Sequence, residues 1–391
     1  MPELLEQPPV KPEAAARSCI RVRRLHVNQL NSGFVGQWQD LEERSLEPNA
    51  FLSPHFVLPA LRHLSTNSRP ELLAFEIDTP NGPQLVGVGV FEFVTHTKLV
   101  PFPHMRAYLA PGNTFLTGLL IDQEYGQEVV TAFFEFARHS RGPWSCIEFV
   151  QRTADSEFAQ LLESSATSFG YQWQGWKFER PIFHPRHLSA VSLEKSLSKN
   201  RRKKVRRNRK HLQSLGELSF HVIRSSEKMQ SHADEFLRLE NCGWKGKEGS
   251  SLLSDTPATA FFRETVDRFS SQGRMMFTEL RIDDEVIAST TNFVAANAGF
   301  AFKSGWNTEY KEYSPGVQQE VELARAAQDR MSDLEYFDSG TDMDSWVETL
   351  WPQSRTITSG VFCSSALQRL VVEQMLRLRR LKRRLKGRKV E

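Results

Sequence analysis

Two hydrophobic hairpins, one in each half of the chain, constrain its fold more than any other feature. In the first, 71–78 (ELLAFEID) and 84–94 (QLVGVGVFEFV) flank the turn Pro80-Asn81-Gly82. In the second, 275–282 (MMFTELRI) and 286–294 (VIASTTNFV) flank Asp283-Asp284. Runs rich in β-branched and aromatic residues around a turn signal predict strand pairs. Each hairpin has similar neighbours. Apolar residues at helical spacing mark 34–46, with Phe34, Trp38 and Leu41 on one face, and then 124–139, 157–169, 229–241, 258–271 and 317–330. Gly170 stops one of these helices, and Ser314-Pro315-Gly316 starts another. Further strands are expected at 144–150, 299–306, 334–339 and 357–362, and a short helix near 345–350. Pro181 and Pro185 mark a loop, followed by a long helix over 193–215 that ends at Gly216. The order helix, hairpin, strand, helix, strand thus occurs twice without a residue-level repeat.

The expected fold is α/β of the α+β kind, in which a mixed, mostly antiparallel sheet is flanked by helices. The expected divisions are a disordered Pro-rich lead (1–18), two similar units (19–185 and 186–365) and a basic helical tail (366–391). A chain of 391 residues has room for two units, and 27 phenylalanines suit packed layers. No apolar run is long enough to span a bilayer, and the first residues lack a secretion signal, so a cytoplasmic protein is expected. Cys19, Cys146, Cys242 and Cys363 are far apart in sequence and form no Cys/His cluster, so neither a disulfide framework nor a metal site is expected.

Charge is distributed unevenly. The chain has 50 basic and 47 acidic residues, yet 199–211 (KNRRKKVRRNRKH) and 377–389 each hold nine cations and no acid. Outside these two runs the chain is acidic. Concentrated cations attract polyanions such as nucleic acid, anionic lipid or phosphorylated small molecules. In the tail, Leu or Val at 367, 370, 371, 378, 381 and 385 lie close to one helical face among Arg and Lys. A basic amphipathic helix of this kind can lie on an anionic membrane surface.

Three clusters could carry chemistry. Tyr313, Ser314, Gly316, Val317 and Gln318 span a loop entering a helix, where free N–H groups and the helix dipole favour phosphate. Glu240, Trp244 and Lys245, in LENCGWKGKEG, end a helix at a glycine-rich loop that could face a flat or anionic group. Asp338 ends a predicted strand, followed by Asp342 and Asp344, and a carboxylate there could act as general base. There is no Walker loop, GxGxxG or Ser/His/Asp pattern.

The segments LSKNRRKKVRRNRKHLQSLGEL (197–218), LENCGWKGKEGSSL (239–252), LRIDDEVIAS (280–289), FKSGWNTEYKEYSPGVQQEVE (302–322) and YFDSGTDMDSWVETLW (336–351), with FLSPHF (51–56), resemble one family. These are the GNAT-fold acyltransferases of the CelD-like group, associated with bacterial cellulose and exopolysaccharide biosynthesis. The resemblance covers most of 35–360. It implies tandem GNAT-like domains, as in the FemAB-type aminoacyl transferases. It also implies acyl transfer from acetyl-CoA or another acyl-CoA, without a metal, to an amine or hydroxyl of a polysaccharide or envelope precursor. Carried onto this chain, it places the pyrophosphate at Tyr313–Gln318 and makes Glu240 or Asp338 the base and Tyr313 a proton donor. It places Trp244 and Lys245 at the substrate. The usual loop, Q/R-x-x-G-x-G/A, is richer in glycine than this one, which has Gly316 alone.

On that reading Arg201, Arg202 and Lys203 wall an acceptor cleft and face a phosphorylated group. Two alternatives stand beside it. One is an aminoacyl-tRNA-dependent transferase of FemAB type, with the first basic run on tRNA. The other is a non-enzymatic anion-binding module. The tail would seat the protein on the inner face of the membrane.

Overall fold

The computed structural model describes residues 19–65, 69–187, 196–224, 227–341, 346–351 and 353–387. The expected disordered lead, the first residues of the 193–215 helix, and Asp342 and Asp344 lie outside these.

Both hairpins form. In the first half, β1 (Arg21–Leu25), β2 (Glu71–Thr79), β3 (Gly82–Val94) and β4 (His104–Ala107) pair antiparallel in sequence order. A two-residue strand, β5 (Leu120–Ile121), adds to β3, and β6 (Cys146–Thr153) joins β4 in parallel. After β7 (Gln172–Phe183) the second half repeats the plan. There β8 (Leu218–Ile223), β9 (Met275–Ile282), β10 (Glu285–Ala295) and β11 (Ala298–Trp306) pair antiparallel, and β12 (Tyr336–Asp338) joins β11 in parallel.

The last strand, β13 (Gln353–Cys363), returns to lie between β6 and β7, and β7 in turn pairs with β12. The thirteen strands therefore form one mixed sheet that continues past residue 185. The loop expected around Pro181 is instead the end of β7. Proline fits there because β7 is passing from β13 to β12, and the Pro181 carbonyl accepts from the Ser339 N–H at 3.2 Å. Strands β1 and β4 carry too few alternating apolar residues to be read from sequence, whereas β8 does alternate, with Leu218, Phe220 and Val222 at every second position.

The helices are α1 (Ser32–Glu43), α2 (Pro54–His63), α3 (Gly126–Ser140), α4 (Glu157–Ser168), α5 (Lys199–Leu215), α6 (Met229–Cys242), α7 (Trp244–Lys247), α8 (Thr256–Ser270), α9 (Pro315–Arg330) and α10 (Ala366–Gly387). Helix α2, whose interior holds Pro59, has no clear helical sign in its residues. Its FLSPHF start is explained by capping, since the Ser53 side chain accepts from the His55 N–H and Pro54 occupies the first turn.

One core joins the halves. Phe51 and Phe56 of the first half meet Phe261, Phe293, Phe300 and Phe302 of the second, mostly edge to face. A second core, around Phe91, Phe133, Trp144 and Phe149, is drawn from the first half together with Phe362 of β13. The tail helix docks on the sheet, with Val372 and Leu376 buried against Leu99, Val100, Val361 and Cys363. Cys146 and Cys363, remote in sequence, are partners across β6 and β13, with their Sγ atoms 3.4 Å apart.

Candidate active site

The parallel pair β11–β12 lasts only from Ala298 to Phe300 on β11. Beyond it β11 runs on to Trp306 without β12, and α9 begins beside the free stretch. The chain enters α9 through Ser314, held in the left-handed region at φ 54°, with no side-chain cap on the helix. Pro315 has no N–H to offer, and the Gly316 and Val317 N–H groups belong to the first turn, which lacks intrahelical partners. The Gln318 N–H bonds to the Ser314 carbonyl at 3.1 Å. A side chain at Gly316 would meet only Trp306, at 3.6 Å, so the helix start is open.

A cavity of about 400 Å³ lies over this start. Trp244, Lys245, Trp306, Lys311, Ser314 and Gly316 line its mouth side, and Thr290, Gln319 and Glu320 its inner wall. Alongside the apolar Val321, Leu323, Ala324 and Ala327, α9 buries polar groups near its start. Gln319 Nε2 donates to the Thr278 carbonyl at 2.9 Å and to Thr290 Oγ1 at 3.0 Å. Glu320 is buried and accepts one hydrogen bond, from Trp351 Nε1 at 3.0 Å. Burial raises its carboxyl pKa to about 7, the indole N–H opposing the rise. A carboxyl of that pKa on a pocket wall has the properties of a general base at neutral pH.

The GWKG segment closes the other side. Glu240 is buried, accepting from Lys245 Nζ at 3.0 Å and from the Leu252 N–H at 2.9 Å. Both oxygens thus tie down the loop after α6. A side chain at Gly246 would collide with the Asn241 carbonyl, and one at Gly305 would sit 2.5 Å from the Glu240 nitrogen. These two glycines let α6 and its loop press against β11. Trp244 is 61 % exposed, at the rim. Lys303, not singled out from sequence, lies close by on β11. Burial lowers its pKa to about 8, against the pull of Glu240, and its Nζ donates to the Gly112 carbonyl at 3.2 Å.

The structure thus brings Trp244, Lys245, Ser314, Gly316 and Val317 together at one cavity. Others expected there lie elsewhere. Tyr313 stacks on His211 of α5, with ring centres 5.7 Å apart, and is not part of the lining. Gln318 turns away to donate to the Val205 carbonyl at 3.1 Å. Arg201 and Lys203 are exposed on α5 and Arg202 is half-buried, and none of the three lines the cavity. The helix itself does lie along α9, through Arg209 and Glu322 at 2.7 Å.

Asp338 sits in the seam between the halves, buried 3.3 Å from Arg180 and 3.5 Å from Arg355, with the Gly340 N–H at 2.8 Å. Arg355 also reaches Glu47 at 3.0 Å. Glu320 was missed because, in VQQEVELAR, an acid among acids looks like solvated helix surface. The signal available was that Gln318, Gln319 and Glu320 stand in a row just after the helix start, with no apolar residue between Val317 and Val321. Among the described residues no group of His, Cys, Asp or Glu could hold a metal ion.

Residues 199–346, the stretch holding this cavity, match the family model described as acetyltransferase (GNAT) domain. Among curated proteins none matches the sequence. Solved structures share the fold over nearly the full length. The structure of FemX superposes with a TM-score of 0.55 at 12 % identity, covering 90 % of this chain and 100 % of that one. The C-terminal domain of a putative lysylphosphatidylglycerol synthetase from Agrobacterium fabrum gives 0.50 at 13 % identity, covering 88 % and 93 %. A conserved protein of unknown function from Bacteroides thetaiotaomicron gives 0.50 at 10 % identity, covering 85 % and 97 %. Residues 199–346 thus resemble a GNAT acetyltransferase domain, and the mixed sheet that holds them has an overall fold that these structures share.

Proposed function

We propose that the protein transfers an acyl group from acetyl-CoA or another acyl-CoA to an amine or hydroxyl, and that it does so in the α9 cavity. The observation that carries this is the open first turn of α9 at the mouth of a cavity whose inner wall presents Glu320. The Gly316 and Val317 N–H groups, with Lys311, suit a pyrophosphate. The cavity suits the narrower pantetheine arm, running between Trp244 and Trp306 toward Thr290. A bound thioester supplies an acyl carbon already activated toward attack.

The protein's task is then to position the acceptor and take its proton. Glu320 does the latter, being partly ionised near neutral pH. Glu240 acts through Lys245, holding the Trp244 loop in place. A polysaccharide or envelope precursor carrying phosphate is the acceptor class favoured by the exposed Arg201 and Lys203 on α5, and a cytoplasmic setting supplies acyl-CoA.

The test is acyl transfer from labelled acetyl-CoA by the full chain, together with the shift in melting temperature that coenzyme A and acyl-CoAs produce. No shift with any of them at millimolar concentration would overturn the reading. A second reading, an aminoacyl-tRNA donor, is favoured by the outward cations of α5. Replacing Arg201, Lys203, Lys204 and Arg207 with Gln should then abolish a salt-dependent gel shift with tRNA. An unaltered shift would remove it.

A further inference from the structure

Helix α10 has two apolar faces, and the sheet takes only one. Val372 and Leu376 are buried, and Arg379 covers the Trp176 ring at 3.7 Å. Leu367, Leu370, Leu378 and Leu381 are 70, 54, 51 and 54 % exposed. At 3.6 residues per turn these four fall within an arc of about 80°, opposite the docked face. Exposed Arg377, Arg380 and Lys382 lie among or beside them. The helix carries a single acid, Glu373, which pairs with Arg377 at 2.6 Å. An isolated surface leucine is ordinary, whereas a stripe of four on one helix needs an occupant.

The charge decides which occupant. A second copy would bring two runs of nine cations side by side without acids between them. A nucleic acid would neutralise the cations and leave the leucines in water. An anionic bilayer satisfies both, with acyl chains for the leucines and headgroup phosphates for the cations. The inner face already holds the helix in place, so little ordering entropy is lost on contact.

We propose that α10 docks the protein on an anionic lipid surface, with Leu367, Leu370, Leu378 and Leu381 at the headgroup–acyl boundary. The inference is independent of the acyl-transfer reading.

The test is co-sedimentation of the full chain with vesicles of phosphatidylcholine alone and of phosphatidylcholine with phosphatidylglycerol. Wild type should bind the anionic vesicles and leave the neutral ones. The variant Leu370→Gln/Leu378→Gln/Leu381→Gln should keep the wild-type melting temperature and bind about a hundredfold more weakly. Arg377→Gln/Arg380→Gln/Lys382→Gln should lose a similar factor at low salt. Three results would overturn the proposal. They are no binding by wild type, full binding by the leucine variant, or a wild-type dimer in solution that the leucine variant dissolves.

Discussion

The two halves share a strand order and differ in what their central helices bury. Each has an antiparallel run of four strands and then a parallel fifth, with a helix packed nearby. In the first half α3 buries Val129, Val130, Phe133, Phe134 and Ala137. Its start is filled, since a side chain at Gly126 would sit 2.9 Å from Leu161 and 3.6 Å from Leu46. In the second half α9 buries Gln318, Gln319, Glu320 and Glu322 beside Val321, Leu323, Ala324 and Ala327, and its start is open. Buried polar groups cost stability unless they are partnered, so their concentration on one of two equivalent helices marks the half that gives up packing for a site.

Four substitutions can break or sharpen that contrast. The largest effect is expected at Glu320. Changing Glu320→Gln should lower acyl transfer by about 10²–10⁴-fold and remove the rise in rate through pH 7. The same change tests the cost of the site. With its folded pKa raised from 4.5 to about 7, the carboxyl favours folding least at high pH. Stability is lost as pH climbs through that window, so at pH 8 the glutamine variant should exceed wild type by up to about 3 kcal/mol in denaturant melts. At pH 4 the difference should vanish.

Next is the seam. Asp338→Ala removes the buried carboxylate that faces Arg180 and Arg355 and should cost about 3–5 kcal/mol of unfolding free energy. Turnover per folded molecule should change little. A full loss of turnover with unchanged stability would make Asp338 a base after all.

Third, Gly316→Asp has room for its side chain, and an acid at a helix start is favourable. The variant should melt no lower than wild type yet bind coenzyme A about ten- to a hundredfold more weakly, because the carboxylate occupies the phosphate's place. The smallest effect belongs to Lys311→Gln at the rim. It should weaken binding by about threefold, mainly at low salt, as titrations at two ionic strengths would show.

Local pattern made much of this legible. Both hairpins, the helices around them apart from α2, and the repeated order follow from periodicity and turn residues alone. The helix start was readable from Ser314-Pro315-Gly316, because proline and glycine each suit a helix entry, whereas the left-handed backbone of Ser314 has no sign in the sequence. What sequence could not show depends on residues distant in the chain. Strand β13 goes between β6 and β7 because of partners some two hundred positions away, such as Cys363 opposite Cys146. Asp338 has the look of a crevice carboxylate until Arg180 and Arg355 arrive from other strands. Glu320 looks like helix surface until Trp351 and the sheet cover it.

The most direct test of the contrast between the halves is a calorimetric titration of the full chain with coenzyme A and acetyl-CoA, with Gly316→Asp as control. Wild type should bind one equivalent per chain, and Gly316→Asp should bind about ten- to a hundredfold more weakly with its fold intact. Two equivalents per chain, or binding unchanged in Gly316→Asp, would contradict the assignment of the site to α9.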